Sequence, residues 1–205
     1  MIKHRPLFIL LNLFIVIDVL FIFFSVLINI PSSFRYFTVL SNVSMALIAM
    51  FAIHTALKRV SSPILNLLYL IMTTSLVLVF LVVALFLSPQ FDDYFFLFSG
   101  YNFFLHFLNP LLAVISLLLL NHPKYNCKTS FLSLIPPFLY AILYFIFVIL
   151  RKDWSDFYNF TLGGNDWLSF ITLFVILVVT YSISTILVLC CKKLAKPESE
   201  KQSSI

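Results

Sequence analysis

The chain has 205 residues, 62% of them hydrophobic and only 10% charged, with a mean hydropathy of +1.08. A soluble domain of this size has too little interior to hide that much apolar side chain, so lipid must cover it. The formal charge of +5 is no nucleic-acid signature, because the basic residues sit at the ends of apolar segments, and Cys127, Cys190 and Cys191 make neither a disulfide framework nor a metal-binding spacing.

Six apolar segments follow in chain order: Leu7–Ile28, Phe37–Leu57, Pro63–Leu87, Asn102–Leu120, Phe131–Leu150 and Trp167–Cys191. The first would span about 33 Å as a helix, enough to cross a bilayer. It is too long for a signal-peptide core and no small-residue cleavage site follows it, so it is expected to stay. Three glycines and unbroken runs of Leu, Ile, Val and Phe argue for helices; a barrel would show short alternating segments. The predicted fold is all-α, a polytopic bundle of six transmembrane helices over residues 1–191. Pro136-Pro137 should bend the fifth helix. Residues 192–205, polar and containing Pro197 and Ser203-Ser204, are expected to form a disordered cytoplasmic tail.

Orientation follows from the basic residues. With the N-terminus inside, Lys3, Arg5, Lys58, Arg59, Lys124, Lys128, Lys192, Lys193, Lys196 and Lys201 all fall on the cytoplasmic side, ten of thirteen. Arg35, Arg151 and Lys152 fall outside, together with Asp92, Asp93, Asp153, Asp156 and Asp166. Both termini are therefore expected in the cytoplasm of a multi-pass protein of the cell membrane. The two larger loops, Ser88–Gly100 and Arg151–Asp166, face outward and are rich in aromatics. Two readings of them stand: an interfacial aromatic belt, or a partial lid over a site open to the outer leaflet.

Ionisable groups at membrane depth are costly and point to function. Three lie well inside: Asp18, His54 and His106. Asp18, halfway along the first helix, must be neutral or paired; it packs by hydrogen bonding to a neighbouring helix or takes part in chemistry. His54 lies near Lys58-Arg59 and snorkels to the interface. His106 sits about 8 Å below the outer edge. Asn102, His106 and Pro110 are spaced i, i+4, i+8, with Asn109 three residues from His106, so the four share one face of the fourth helix. Pro110 has no N–H, so a kink is expected there.

The second helix enters from the same side with Thr38, Ser41 and Asn42, of which Thr38 and Asn42 share a face. A hydroxyl becomes a nucleophile when a base takes its proton, and neutral imidazole does that near pH 7. Asn42, Asn102 or Asn109 could orient the imidazole or donate to an oxyanion. Against this stands the simpler role of Thr38 and Asn42 as hydrogen-bonding glue between helices. His4, His54 and His122 share the cytoplasmic side, but no carboxylate or cysteine spacing supports a metal site, and no cofactor is expected. Asn159-Phe-Thr161 is a glycosylation sequon on the last outer loop.

Arg35-Tyr-Phe-Thr-Val-Leu-Ser-Asn42 resembles the helix opening found in bacterial relatives of the androgen-induced protein family, which includes the androgen-dependent regulator of tissue factor pathway inhibitor. Asn102-xxx-His106-xxx-Pro110 is similar to a second family segment. Pro137-xx-Tyr140-xxx-Tyr144, Arg151 and Phe157-Tyr-Asn-Phe160 with Gly164 are similar, more loosely, to a third. The resemblance runs from Arg35 over most of the chain. It implies a six-helix bundle and an intramembrane hydrolase of fatty acid esters of hydroxy fatty acids or a related acyl lipid. Thr38 then corresponds to the nucleophile and His106 to its partner. Independently of the resemblance, Asp18 could stabilise a protonated His106 if the first helix packs beside the fourth. The family's animal members carry two histidines in the fourth-helix motif; this chain carries one. The partners expected are the bilayer and a membrane lipid or fatty acyl ester, and no nucleic acid. Two other functions fit the same residues: a small proton-coupled transporter relaying through Asp18 and His106, and a non-catalytic membrane scaffold.

Overall fold

A computed structural model describes residues 2, 4–90, 95–120, 125–161 and 164–194. Among these, six helices are long and apolar enough to cross a membrane: α1 (Arg5–Ser25), α2 (Phe37–Lys58), α3 (Pro63–Leu87), α4 (Tyr101–Leu119), α5 (Cys127–Leu150) and α6 (Trp167–Leu194). Local chemistry sets their ends. α1 and α3 carry proline in the first turn, where the missing N–H has no helical partner to lose. The Ser62 hydroxyl accepts from the Leu65 N–H at 3.3 Å and caps α3. Asn126 and Thr129 form a reciprocal capping box at the start of α5. α2 stops at Arg59, which takes a left-handed conformation at φ 58°.

Three expectations need correction. α5 begins at Cys127 rather than Phe131 and is interrupted next to the prolines: a helical stretch over Cys127–Leu132 ends, and a second starts at Ile135 with the prolines in its first turn. Pro136 and Pro137 have no N–H to donate backward, so the ladder cannot continue through them. Ser133, at the break, accepts a hydrogen bond from the Ser184 hydroxyl of α6 at 2.9 Å. Next, α6 continues through Lys192 and Lys193 to Leu194, where cations complement the negative end of the helix dipole; the tail expected from residue 192 is helical as far as it is described, and 195–205 lie outside the described residues. Finally, the loop expected over Ser88–Gly100 contains helical turns at Ser88–Gln90 and Phe95–Phe98, while Asp92-Asp93 lies outside the described residues, as does His122.

α1 packs on α2 and α4, and α3 packs on α2, α4 and α6. The outside is the apolar side. Phe21, Phe51, Ile64, Leu85, Trp167 and Phe174 are 63% to 78% exposed, whereas Asn12, Asn42, Thr73, Asn109, Ser116 and Thr180 are almost fully buried. In water such a surface would drive aggregation. Around helices of spanning length it fits a multi-pass membrane protein, where small and polar residues hold helix interfaces together.

Four helices contain a π turn: Phe23–Leu27 in α1, Val83–Leu87 in α3, Phe104–Leu108 in α4 and Phe145–Leu150 in α5. The i→i−5 bonds are explicit. Ile28 donates to the Phe23 carbonyl at 3.0 Å and Arg151 to Ile146 at 2.9 Å; Ser88 donates to Val83 and Asn109 to Phe104. Such turns are rare and concentrate at functional sites. All four lie at the end of the bundle opposite Arg5 and Leu194, the end where α2 and α4 begin.

Candidate active site

The site is built around Asn42, one turn into α2 and 1% exposed. Its Nδ2 donates to the Thr38 carbonyl at 2.8 Å and to the Leu105 carbonyl of α4 at 3.1 Å. Its Oδ1 accepts from Asn109 Nδ2 at 2.9 Å. One amide thus holds the backbone of the Thr38 turn within about 6 Å of the backbone next to His106. The π turn over Phe104–Leu108 makes this possible. Pro110 offers no N–H, the turn before it widens, and Leu105 is left with a carbonyl turned toward α2.

The same widening changes the face expected from sequence. The buried positions of α4 here are Leu105, His106, Asn109 and Pro110, while Asn102 is half-buried and takes no part in the Asn42 network. His106 is 8% exposed and has interactions of its own.

Thr38 lies in the first turn of α2 and is 8% exposed. It lines a narrow slot of about 40 Å³ between α2, α3, α5 and α6, walled by Phe37, Val79, Val83, Pro137, Tyr140 and Tyr158. That is room for two or three waters. His106 is not among the residues lining the slot. The Tyr158 hydroxyl accepts from the Phe37 N–H at 3.1 Å and lies beside the Thr38 hydroxyl. It therefore occupies the positive end of α2, where first-turn N–H groups have no helical acceptor. Burial pushes the Tyr158 phenol up to about 12, with the contacts to Tyr140, Phe37 and Thr38 only partly offsetting it. At neutral pH it keeps its proton and remains a donor. Tyr140 donates to the Arg35 carbonyl at 2.7 Å and fixes the turn that leads into α2. A Tyr158→Phe variant should lose about 1 kcal/mol of stability for the orphaned Phe37 N–H, read as a lower melting temperature in detergent; an unchanged melting temperature would show that the phenol does not cap α2.

The chain over 151–161 carries Tyr158 into the bundle. Tyr158, Phe160 and Thr161 are buried, Phe157 packs edge-on against Tyr36 at 4.6 Å, and Trp154 stacks on Phe147 at 4.6 Å. Asp156 holds the loop in shape. Its carboxylate accepts from the Thr161 hydroxyl at 2.6 Å and from the Phe160 and Thr161 N–H groups, both at 2.9 Å, and the Tyr144 hydroxyl also donates to it. The Thr161 hydroxyl of the sequon is thereby engaged. Partial burial raises the Asp156 carboxyl, but the hydrogen bonds from Thr161, Tyr144 and Phe160 outweigh it and hold the group below its ordinary value. A depressed carboxylate stabilises the fold above its unfolded-state pKa, and that stability is lost as pH falls through the folded value. Amide protection of 151–161 should therefore be flat from pH 8 to 5 and fall below about pH 4. Asp156→Asn should remove this pH dependence; a variant that keeps it would assign the effect elsewhere.

Asp18 lies on α1, which packs against α4 as a link to that helix requires. The neighbour it finds is Asn109, one turn beyond His106. The approach falls short of hydrogen-bond geometry, for both Asp18 carboxyl oxygens and Asn109 Oδ1 are buried without a hydrogen-bond partner. His54 is exposed near the other end of α2. The sequence reading passed over Tyr158 and Asp156 as site residues. A signal for both was present in Tyr140 and Tyr144, whose i, i+4 spacing puts two phenols on one face of α5 looking for partners.

Searches of protein-family models, curated proteins and solved structures return no significant match to this chain.

Proposed function

We propose that this chain is an intramembrane hydrolase of acyl lipid esters, with Thr38 as nucleophile and His106 as general base and acid. The observation that carries the reading is the Asn42 clamp, which ties the Thr38 turn to the His106 turn at one buried level beside a slot. His106 takes the Thr38 proton as the hydroxyl attacks the ester carbonyl, then returns it to the leaving alcohol; water repeats the cycle on the acyl-enzyme. The protonated Tyr158 hydroxyl donates to the oxyanion that forms beside Thr38, reinforced by the positive end of α2. A slot this small takes the carbonyl and a water, so the acyl chains lie along the apolar outer faces of α5 and α6. Asn42 and Asn109 position the imidazole turn, and no cofactor is needed.

The resemblance to the androgen-induced protein family supports the same roles. The distribution of basic residues supports a cell-membrane protein with both termini in the cytoplasm, which puts Thr38 just beneath the outer headgroups, at the depth of a lipid ester. A fluorophosphonate probe should label Thr38 in the full chain in detergent, located by peptide mass spectrometry, and excess lipid ester should suppress it; labelling only at other residues rejects Thr38 as nucleophile.

One observation favours a second reading, a proton-coupled carrier. Both Asp18 carboxyl oxygens are buried without a hydrogen-bond partner, beside Asn109, and a bound proton would relieve that. Flux into liposomes that depends on Asp18 and not on Thr38 would select it.

A further inference from the structure

The largest cavity described is not the slot beside Thr38. It lies at the other end of the bundle, between the start of α1, the end of α2 and the start of α3, and measures about 640 Å³. That is within the range of sites that hold a small organic ligand. Its wall changes character with depth. Arg5 and Arg59 line its outer part, Arg5 half-buried and Arg59 exposed. Phe8 and Tyr69, both 0% exposed, and Ala52 and Ala56 form its interior.

The two guanidinium groups come from different helices, and neither has a carboxylate partner among the described residues; Arg151, at the opposite end, is paired with Asp153 at 2.8 Å. Basic residues at a helix end are expected from membrane topology alone. Topology does not require two arginines on one cavity whose interior includes Phe8, Ala52 and Ala56. Cations outside and aromatic and methyl groups inside match an amphiphile with an anionic head.

We propose that this cavity binds one acyl lipid carrying an anionic headgroup, phosphate or carboxylate, with the head on Arg5 and Arg59 and the first part of the chain against Phe8, Ala52 and Tyr69. Arginine suits either head because its planar fork meets two oxygens at once. The site is independent of the chemistry proposed at Thr38.

The test is native mass spectrometry of the full chain in detergent, titrated separately with dioleoyl phosphatidylglycerol, dioleoyl phosphatidylcholine and oleate. One phosphatidylglycerol or one oleate should be retained in preference to phosphatidylcholine, and added salt should weaken it. Preference for phosphatidylglycerol identifies a bilayer phospholipid; preference for oleate identifies a free fatty acid. Arg5→Gln with Arg59→Asn should weaken binding by roughly tenfold or more, while Arg151→Gln should leave it unchanged. Should the double variant fail to fold, Arg59→Asn alone serves, since the residue is exposed and asparagine tolerates its left-handed backbone. Equal retention of phosphatidylcholine, or wild-type binding by the folded arginine variants, would overturn the proposal.

Discussion

Thr38→Ala and His106→Ala should each abolish hydrolysis of a lipid ester by the purified protein while it remains folded, with the melting temperature nearly unchanged for Thr38→Ala. Loss of the nucleophile should cost at least about a thousandfold in kcat, and loss of the general base about 10² to 10⁴. Thr38→Ser keeps a hydroxyl and should retain measurable turnover. The structural cost is small for a specific reason. The Thr38 atoms that hold the bundle together belong to its backbone, whose carbonyl accepts from Ser41 Oγ at 3.0 Å and from Asn42 Nδ2 at 2.8 Å; alanine preserves both. The Thr38 hydroxyl instead faces Tyr158. Turnover that survives either alanine substitution removes the mechanism, and a Thr38→Ala protein that unfolds would show the hydroxyl to be structural.

Asn42→Ala should be the most destabilising single change in the interior. It removes the donor to Leu105, one of two side-chain donors to Thr38 and the acceptor for Asn109, all within a buried network. Interhelical hydrogen bonds in membranes average about 0.6 kcal/mol when measured pairwise, but orphaned buried groups cost about 1 to 3 kcal/mol each. Because two buried groups of α4, the Leu105 carbonyl and the Asn109 amide, are orphaned, the second figure governs, and a loss of about 2 to 4 kcal/mol is expected, read by thermal or denaturant unfolding in micelles. Asn42→Asp should be worse than alanine, since a carboxylate would face two carbonyl oxygens. A double-mutant cycle with Asn109→Ala separates the interhelical pair from the rest; additive losses would mean that the two amides do not work as a unit.

The six helices were legible because length and apolarity alone define a spanning segment, and α2 and α3 begin where the sequence says they should, at Phe37 and Pro63. Proline was legible as a disturbance: a new helical stretch starts beside Pro136-Pro137 within α5, and a widened turn precedes Pro110 in α4. At Pro110 a neighbouring helix supplies a donor, Asn42 to the Leu105 carbonyl, while at the interruption of α5 the Ser184 hydroxyl donates to the Ser133 hydroxyl, and no local pattern carries either contact. Thr38, Asn42, His106 and Asn109 could be assigned to one depth from spacing. The partner of the Thr38 hydroxyl could not, because Tyr158 lies 120 residues further along the chain and arrives on an irregular loop. Its place is set by Asp156 and a cluster of rings, not by periodicity.

The four π turns at one end leave the bundle with uneven compliance. Wider turns have looser axial contacts, so the half containing Thr38 should breathe on timescales at which the regular half stays shut. Deuterium uptake should be graded along each helix, rising toward Phe23, Val83 and Ile146. A hydrophobic molecule would then enter or leave by sideways parting of these helices, with the opposite half acting as a fixed base.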